Sequence, residues 1–201
     1  ETRNRTLELV KTLEKDDFVV QTAFFTSPPK WHIGHVSWIY EAIMSKIDKN
    51  YEFYSKEFSD YLNSYYQQFG IPLDKGRRGI SRPTTEQIFH YFNTITQRVN
   101  HLIESKSLNI DAIKLIVMGF HHECQHQELL VYDLQHLIAE QYRPLRKNEK
   151  PHSSNFEQSS IEIKGGIYTM GHNGTDFCYD IELPEHKVYL ENYTIDAFPV
   201  T

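Results

Sequence analysis

The chain has 201 residues, 39% hydrophobic and 13% aromatic, with 9 Gly and 8 Pro, enough apolar side chain for one domain and part of a second and too ordered a mix for a fibrous or disordered polymer. Twenty-one basic side chains against 27 acidic ones leave a net charge of −6, which argues against a basic face for nucleic acid. No apolar run approaches the roughly 20 residues of a membrane helix, no leader pattern opens the chain, and two distant cysteines, Cys124 and Cys178, make no disulfide framework, so the expectation is a cytoplasmic protein without a membrane partner.

From Thr2 to about Tyr142 the apolar spacing is mostly helical. A first helix is expected over Thr2 to Thr22, with Asp16 as its weak point, and a second over Trp31 to Lys46, separated by the breaker cluster Thr26-Ser27-Pro28-Pro29. Between Asn50 and Ser81 aromatic residues crowd a segment read as a short helix and then a long loop through Gly76-Arg-Arg-Gly79. Ile88, Phe92, Ile95, Val99 and Leu102 step by four and three, the stripe of a bundle helix, and Pro83-Thr84-Thr85-Glu86 supplies its start. Asp111 is the expected N-cap of a long helix that runs to about Tyr142, where Arg143-Pro144 stops it. Four helices can close one core, so the fold class expected is mainly α, a four-helix bundle over residues 1–142.

Residues 143–160 are polar and aperiodic and read as a linker. Beyond them Ile161–Ile163, Ile167–Met170, Val188–Leu190 and Tyr193–Ile195 read as short strands between Gly-Gly, Asn-Gly and Pro breaks. Some 40 residues of strand rarely fold alone. Residues 161–201 are therefore expected to begin a larger β-rich domain, and both chain ends read as cut.

Eleven histidines stand in the chain, most without a partner at ligand spacing. The run His121-His122-Glu123-Cys124-Gln125-His126-Gln127-Glu128 is the exception, because His122 and His126 are i and i+4 on one helix face and can reach one ion. Glu128 and Cys124 each lie two residues from one of them, about 200° around a helix of 3.6 residues per turn, and point elsewhere. A third ligand then has to come from another helix, and Trp31-His32-Ile33-Gly34-His35 offers His35 or His32. The rival account is a polar patch satisfied by hydrogen bonds to Glu or Tyr. Three neutral imidazoles suit Zn or Fe(II), and ligand type does not choose between them.

Four ordered motifs, Ser27-Pro-Pro-Lys-Trp-His-Ile-Gly-His35, Asn63-Ser-Tyr-Tyr66, Arg78-Gly-Ile-Ser-Arg-Pro83 and His122-Glu-Cys-Gln-His-Gln-Glu-Leu129, resemble the DinB-like domain of the sulfoxide synthases of ergothioneine biosynthesis. Gly165-Gly-Ile-Tyr-Thr-Met-Gly171, Tyr179-Asp-Ile-Glu-Leu-Pro-Glu-His186 and Phe198-Pro-Val-Thr201 resemble the start of their second domain, which is similar to the formylglycine-generating enzyme and α+β, of C-type-lectin-like fold; Ile181 stands where that family often has Asn. The resemblance implies a non-haem iron enzyme in which His35, His122 and His126 bind Fe(II). It also implies the reaction: O2-dependent joining of a cysteine-type thiol, cysteine or γ-glutamylcysteine, to C2 of the imidazole of hercynine, with sulfur leaving as sulfoxide. By the same likeness Gln125 contacts the imidazole substrate, the alternative being a solvated helix glutamine. Arg78 and Arg82 could hold substrate carboxylates or be plain surface arginines. Tyr65 or Tyr66 could donate a proton to iron-bound oxygen, or both could pack under the loop. Other functions kept open are the histidine–cysteine sulfoxide synthase of ovothiol biosynthesis, a zinc DinB-like thiol transferase and a non-catalytic metal-binding module.

Overall fold

A computed structural model describes residues 1–64, 78–105, 108–141 and 159–199. The chain divides into two compact units, Glu1–Leu145 and Arg146–Thr201. Among the described residues the first is helical: α1 (Thr2–Val10), a 3-10 turn (Lys15–Val19), α2 (Pro29–Ile47), α3 (Lys56–Leu62), α4 (Thr85–Glu104) and α5 (Ile110–Gln141).

α2 is the hub, packing on α3, α4 and α5. Its apolar residues, Trp31, Ile33, Val36, Trp38, Ile39, Tyr40, Ile43 and Met44, surround the whole helix and are all buried, as a helix without a polar face must be. It begins two residues earlier than its apolar pattern, because Pro29 sits in the first helical turn, where a missing N–H costs nothing. Glu41, buried on α2, is held by three donors. Glu41 accepts from Tyr91 Oη at 2.5 Å, Tyr51 Oη at 2.8 Å and the Tyr54 backbone N–H at 2.8 Å.

Helix α4 buries the expected stripe at Ile88, Phe92, Ile95 and Val99 and adds Tyr91. Its start is a capping box: Thr84 Oγ1 accepts from the Gln87 backbone N–H, and the Gln87 side chain accepts from the Thr84 backbone N–H.

Two helix boundaries differ from the sequence reading. The expected first helix is really two pieces, since α1 ends at Val10 and a new start follows in which the Asp17 carboxylate accepts from the Glu14 backbone N–H at 2.9 Å. This local side-chain bond competes with helix continuation. The cap of α5 is Asn109 rather than Asp111, its Oδ1 accepting from the Ala112 backbone N–H at 2.9 Å.

Close helix approaches depend on two glycines. A Cβ on Gly119 of α5 would come within 2.8 Å of Tyr40 and of Ile43 on α2, and one on Gly34 of α2 within 2.5 Å of Leu62 on α3.

In the second unit β1 (Ser160–Ile163) pairs antiparallel with β4 (Tyr193–Asp196), and β2 (Gly166–Met170) with β3 (His186–Leu190). None of the described residues of this unit is buried, and Ile161, Ile167, Ile181 and Ile195 are half or more exposed. No described helix in the chain is long and apolar enough to cross a membrane.

Candidate metal centre

His122 and His126 project from one face of α5, and His35 meets them from α2. One ring nitrogen from each of the three lies within 4.8 Å of the other two. Ring centroids are 4.6 Å apart for His122 and His126, 4.5 Å for His35 and His126, and 5.2 Å for His35 and His122.

Each ring is held differently. His35 Nδ1 is 2.6 Å from the Leu62 carbonyl, an acceptor, so the proton sits on Nδ1 and Nε2 keeps a lone pair. Gly34, one residue before His35, leaves room for the Leu62 side chain at the end of α3. His122 Nδ1 is buried and has no hydrogen-bond partner among the described residues. Buried polar atoms are ordinarily satisfied, so an orphan nitrogen beside two more imidazoles fits a ligand atom for a cation.

Electrostatics agree. Burial holds His122 down to about 4, and burial together with the neighbouring imidazoles holds His35 and His126 well below the ordinary histidine range. All three are neutral at physiological pH, the form that binds a metal.

The imidazoles line a cavity of about 390 Å³ with Phe25, Ser27, Trp31, Arg78, Gln125 and Leu129 on its walls. Arg78 is buried, its Nη1 donating to Ser27 Oγ at 2.8 Å and its Nη2 to Ser64 Oγ at 3.1 Å. Its guanidinium lies 3.5 Å over the Trp31 ring, and Trp31 stacks at 4.5 Å on His35. Lys30, also buried, donates Nζ to the carbonyls of Ile80 and, at 2.9 Å, Pro83, which ties the loop that carries Arg78 to α2.

Of the site residues read from sequence, His35, His122, His126, Gln125 and Arg78 all line this cavity. Arg82 does not: it is exposed and donates to the Ser81 carbonyl at 3.1 Å. Tyr65 and Tyr66 lie outside the described residues. Cys124 and Glu128 are exposed and do not belong to the histidine cluster. Sequence reasoning missed the structural parts of the wall, Trp31, Ser27 and Asp133, and treated His32 only as a rival of His35. A signal existed, since His32 and His35 are i and i+3 on α2, and His126 and Asp133 are two turns apart on one face of α5.

The family model of the DinB superfamily matches residues 1–130, a span that includes all three histidines. No curated protein sequence matches the chain.

Proposed function

Because the chain belongs to the DinB superfamily, and because its motifs resemble one specialised branch of such proteins, we propose that it is an Fe(II)-dependent sulfoxide synthase acting on hercynine and a cysteine-type thiol. The observation that carries this reading is a cavity in which three neutral imidazoles stand beside a buried guanidinium. The overall reaction balances as thiol plus hercynine plus O2 giving the aryl sulfoxide and water. Fe(II) held by His35, His122 and His126 would supply a thiolate-stabilising, O2-activating centre.

The chain's own residues do the positioning. Arg78, clamped by Ser27 and Ser64 and laid on Trp31, is a fixed cation for a substrate carboxylate. Gln125, one residue before His126 and on the cavity wall, offers an amide donor and acceptor to the imidazole substrate. Phe25, Trp31 and Leu129 give the cavity its apolar wall. Tyr65 or Tyr66 is kept as the proton donor. Arg82, exposed and turned to its own loop, has no part in this reading.

The test is anaerobic loading of the protein with Fe(II), then O2 uptake and product mass with hercynine and either cysteine or γ-glutamylcysteine. Uptake that needs both substrates and yields the carbon–sulfur sulfoxide is the expected result. Uptake with histidine in place of hercynine would favour the ovothiol-type reaction, and no uptake with either would overturn the oxidative reading.

A further inference from the structure

A second polar chain, Ser27, Asp133, His32 and His126, runs along the cavity wall, and the reaction above leaves it without a task. His32 Nε2 lies 2.9 Å from Asp133 Oδ2, and His32 Nδ1 lies 3.2 Å from His126 Nδ1. Asp133 Oδ2 also accepts the Ser27 backbone N–H at 2.8 Å. His32 and Asp133 are both buried. Three elements are involved: α5 supplies Asp133 and His126, α2 supplies His32, and the segment leading into α2 supplies Ser27.

With Asp133 ionised and His32 neutral, hydrogen-bond chemistry assigns the protons along it. A carboxylate only accepts, so the proton between Asp133 and His32 belongs to His32 Nε2. A neutral imidazole has one N–H, so His32 Nδ1 is an acceptor. The contact of His32 Nδ1 with His126 Nδ1 is then favourable when His126 carries its own proton on Nδ1, which leaves the lone pair of His126 on Nε2.

We infer that Asp133 and His32 are positioning residues that select the Nδ1–H tautomer of His126 and so hold its Nε2 ready as a metal ligand. The inference rests on the three-histidine reading of the centre for its use, but the tautomer itself is a property of the metal-free protein. It divides the labour between the two histidines of the Trp31-His-Ile-Gly-His35 motif: His35 is a ligand oriented by the Leu62 carbonyl, and His32 orients a ligand contributed by another helix. Partners of this kind typically contribute 10–100-fold to metal affinity.

The experiment has two arms. Long-range 1H–15N spectra of the metal-free protein, labelled in histidine and recorded near pH 7.5, should show His126 protonated on Nδ1 and His32 on Nε2. Zn2+ competition titrations should show binding weakened about 10–100-fold in Asp133→Leu and in His32→Phe, with the His126 signal in each variant drifting towards a tautomer mixture. A doubly protonated His32, or His126 protonated on Nε2, would overturn the inference even if neither variant folds, because the wild-type spectrum decides it. Wild-type Zn2+ affinity in both folded variants would overturn it too. Failure of the metal reading is separately visible: His122→Ala would bind Zn2+ as tightly as the wild type while the tautomers stayed as stated.

Discussion

Helix α5 carries two polar clusters one residue apart in sequence and opposite in character. On one face His122 and His126 look into the cavity, with His122 Nδ1 buried and unpartnered among the described residues. On the other, Glu123 is fully buried and accepts from Thr6 Oγ1 at 2.6 Å and from Arg3 Nη1 at 3.4 Å, while Gln127 donates to the Thr2 carbonyl at 2.9 Å and to Thr6 Oγ1 at 3.0 Å. Arg3 is bonded further to Thr96, Ser37 and the Phe92 carbonyl and lies 3.4 Å over the Phe92 ring. The face toward α1 is a closed network that fastens the helix; the cavity face is an open set of lone pairs. Burial does not distinguish these two clusters of α5; the satisfaction of their buried atoms does.

The largest effect that could break this contrast is on metal binding. His122→Ala should weaken binding of a divalent metal by more than about a hundredfold, since even partners of ligands are worth 10–100-fold, and isothermal or competition titration measures it. The same change should leave metal-free stability intact, because it removes an unpaired buried nitrogen and strands nothing. Glu123→Ala should do the reverse, costing about 3 kcal/mol in denaturant unfolding by leaving the Arg3 guanidinium buried beside a hole; the value falls at the low end because three other acceptors remain.

Gly34→Ala sharpens the picture by acting on both properties at once. Overpacking against Leu62 should cost about 1–3 kcal/mol, and the displaced carbonyl should loosen His35, so the melting temperature and the metal affinity are expected to fall together.

A smaller and graded effect comes from pH. His122 falls from an unfolded value of about 6.5 to about 4 in the folded protein, and His35 and His126 are lowered as well. Between those values the unfolded chain binds more protons than the folded one, so metal-free stability is full above about pH 6.5 and declines as pH falls towards 4. Melting curves of the wild type against His122→Leu should show the shallower acid slope in the variant. At the small end, Glu128→Gln should change neither metal affinity nor stability beyond about 0.5 kcal/mol, because the side chain is exposed and outside the cluster.

Periodicity made the helices legible wherever one face is apolar: α4 and the long run of α5 stand in the residues themselves, and so do the paired strands between Gly and Pro breaks. It failed where a single local hydrogen bond decides, as with Asp17 restarting the chain after α1 and Asn109 capping α5. The i, i+4 histidine pair was equally readable, because one helix fixes both members. Choosing between His32 and His35 was not possible from spacing, since the answer depends on Asp133 and Leu62, which other helices bring in. The same limit governs the arginines. Arg78 and Arg82 look alike in sequence, and what separates them is Ser27, Ser64 and the face of Trp31 waiting for one of them. Glu123 and Gln127, embedded in the histidine run, gave no sign that their partners lie in the first six residues.

The stacking around His35 has an optical consequence. The chain contains two tryptophans, and both lie against this ring, Trp31 at 4.5 Å and 11° and Trp38 at 5.9 Å and 20°. Both indoles are almost fully shielded from solvent. All of the protein's indole emission therefore originates in van der Waals neighbourhood of one candidate ligand, with the Arg78 guanidinium capping the stack. Whatever changes the charge or electronic structure at His35 is written directly into the intrinsic fluorescence, so the centre carries its own reporter and can be followed in real time without a label.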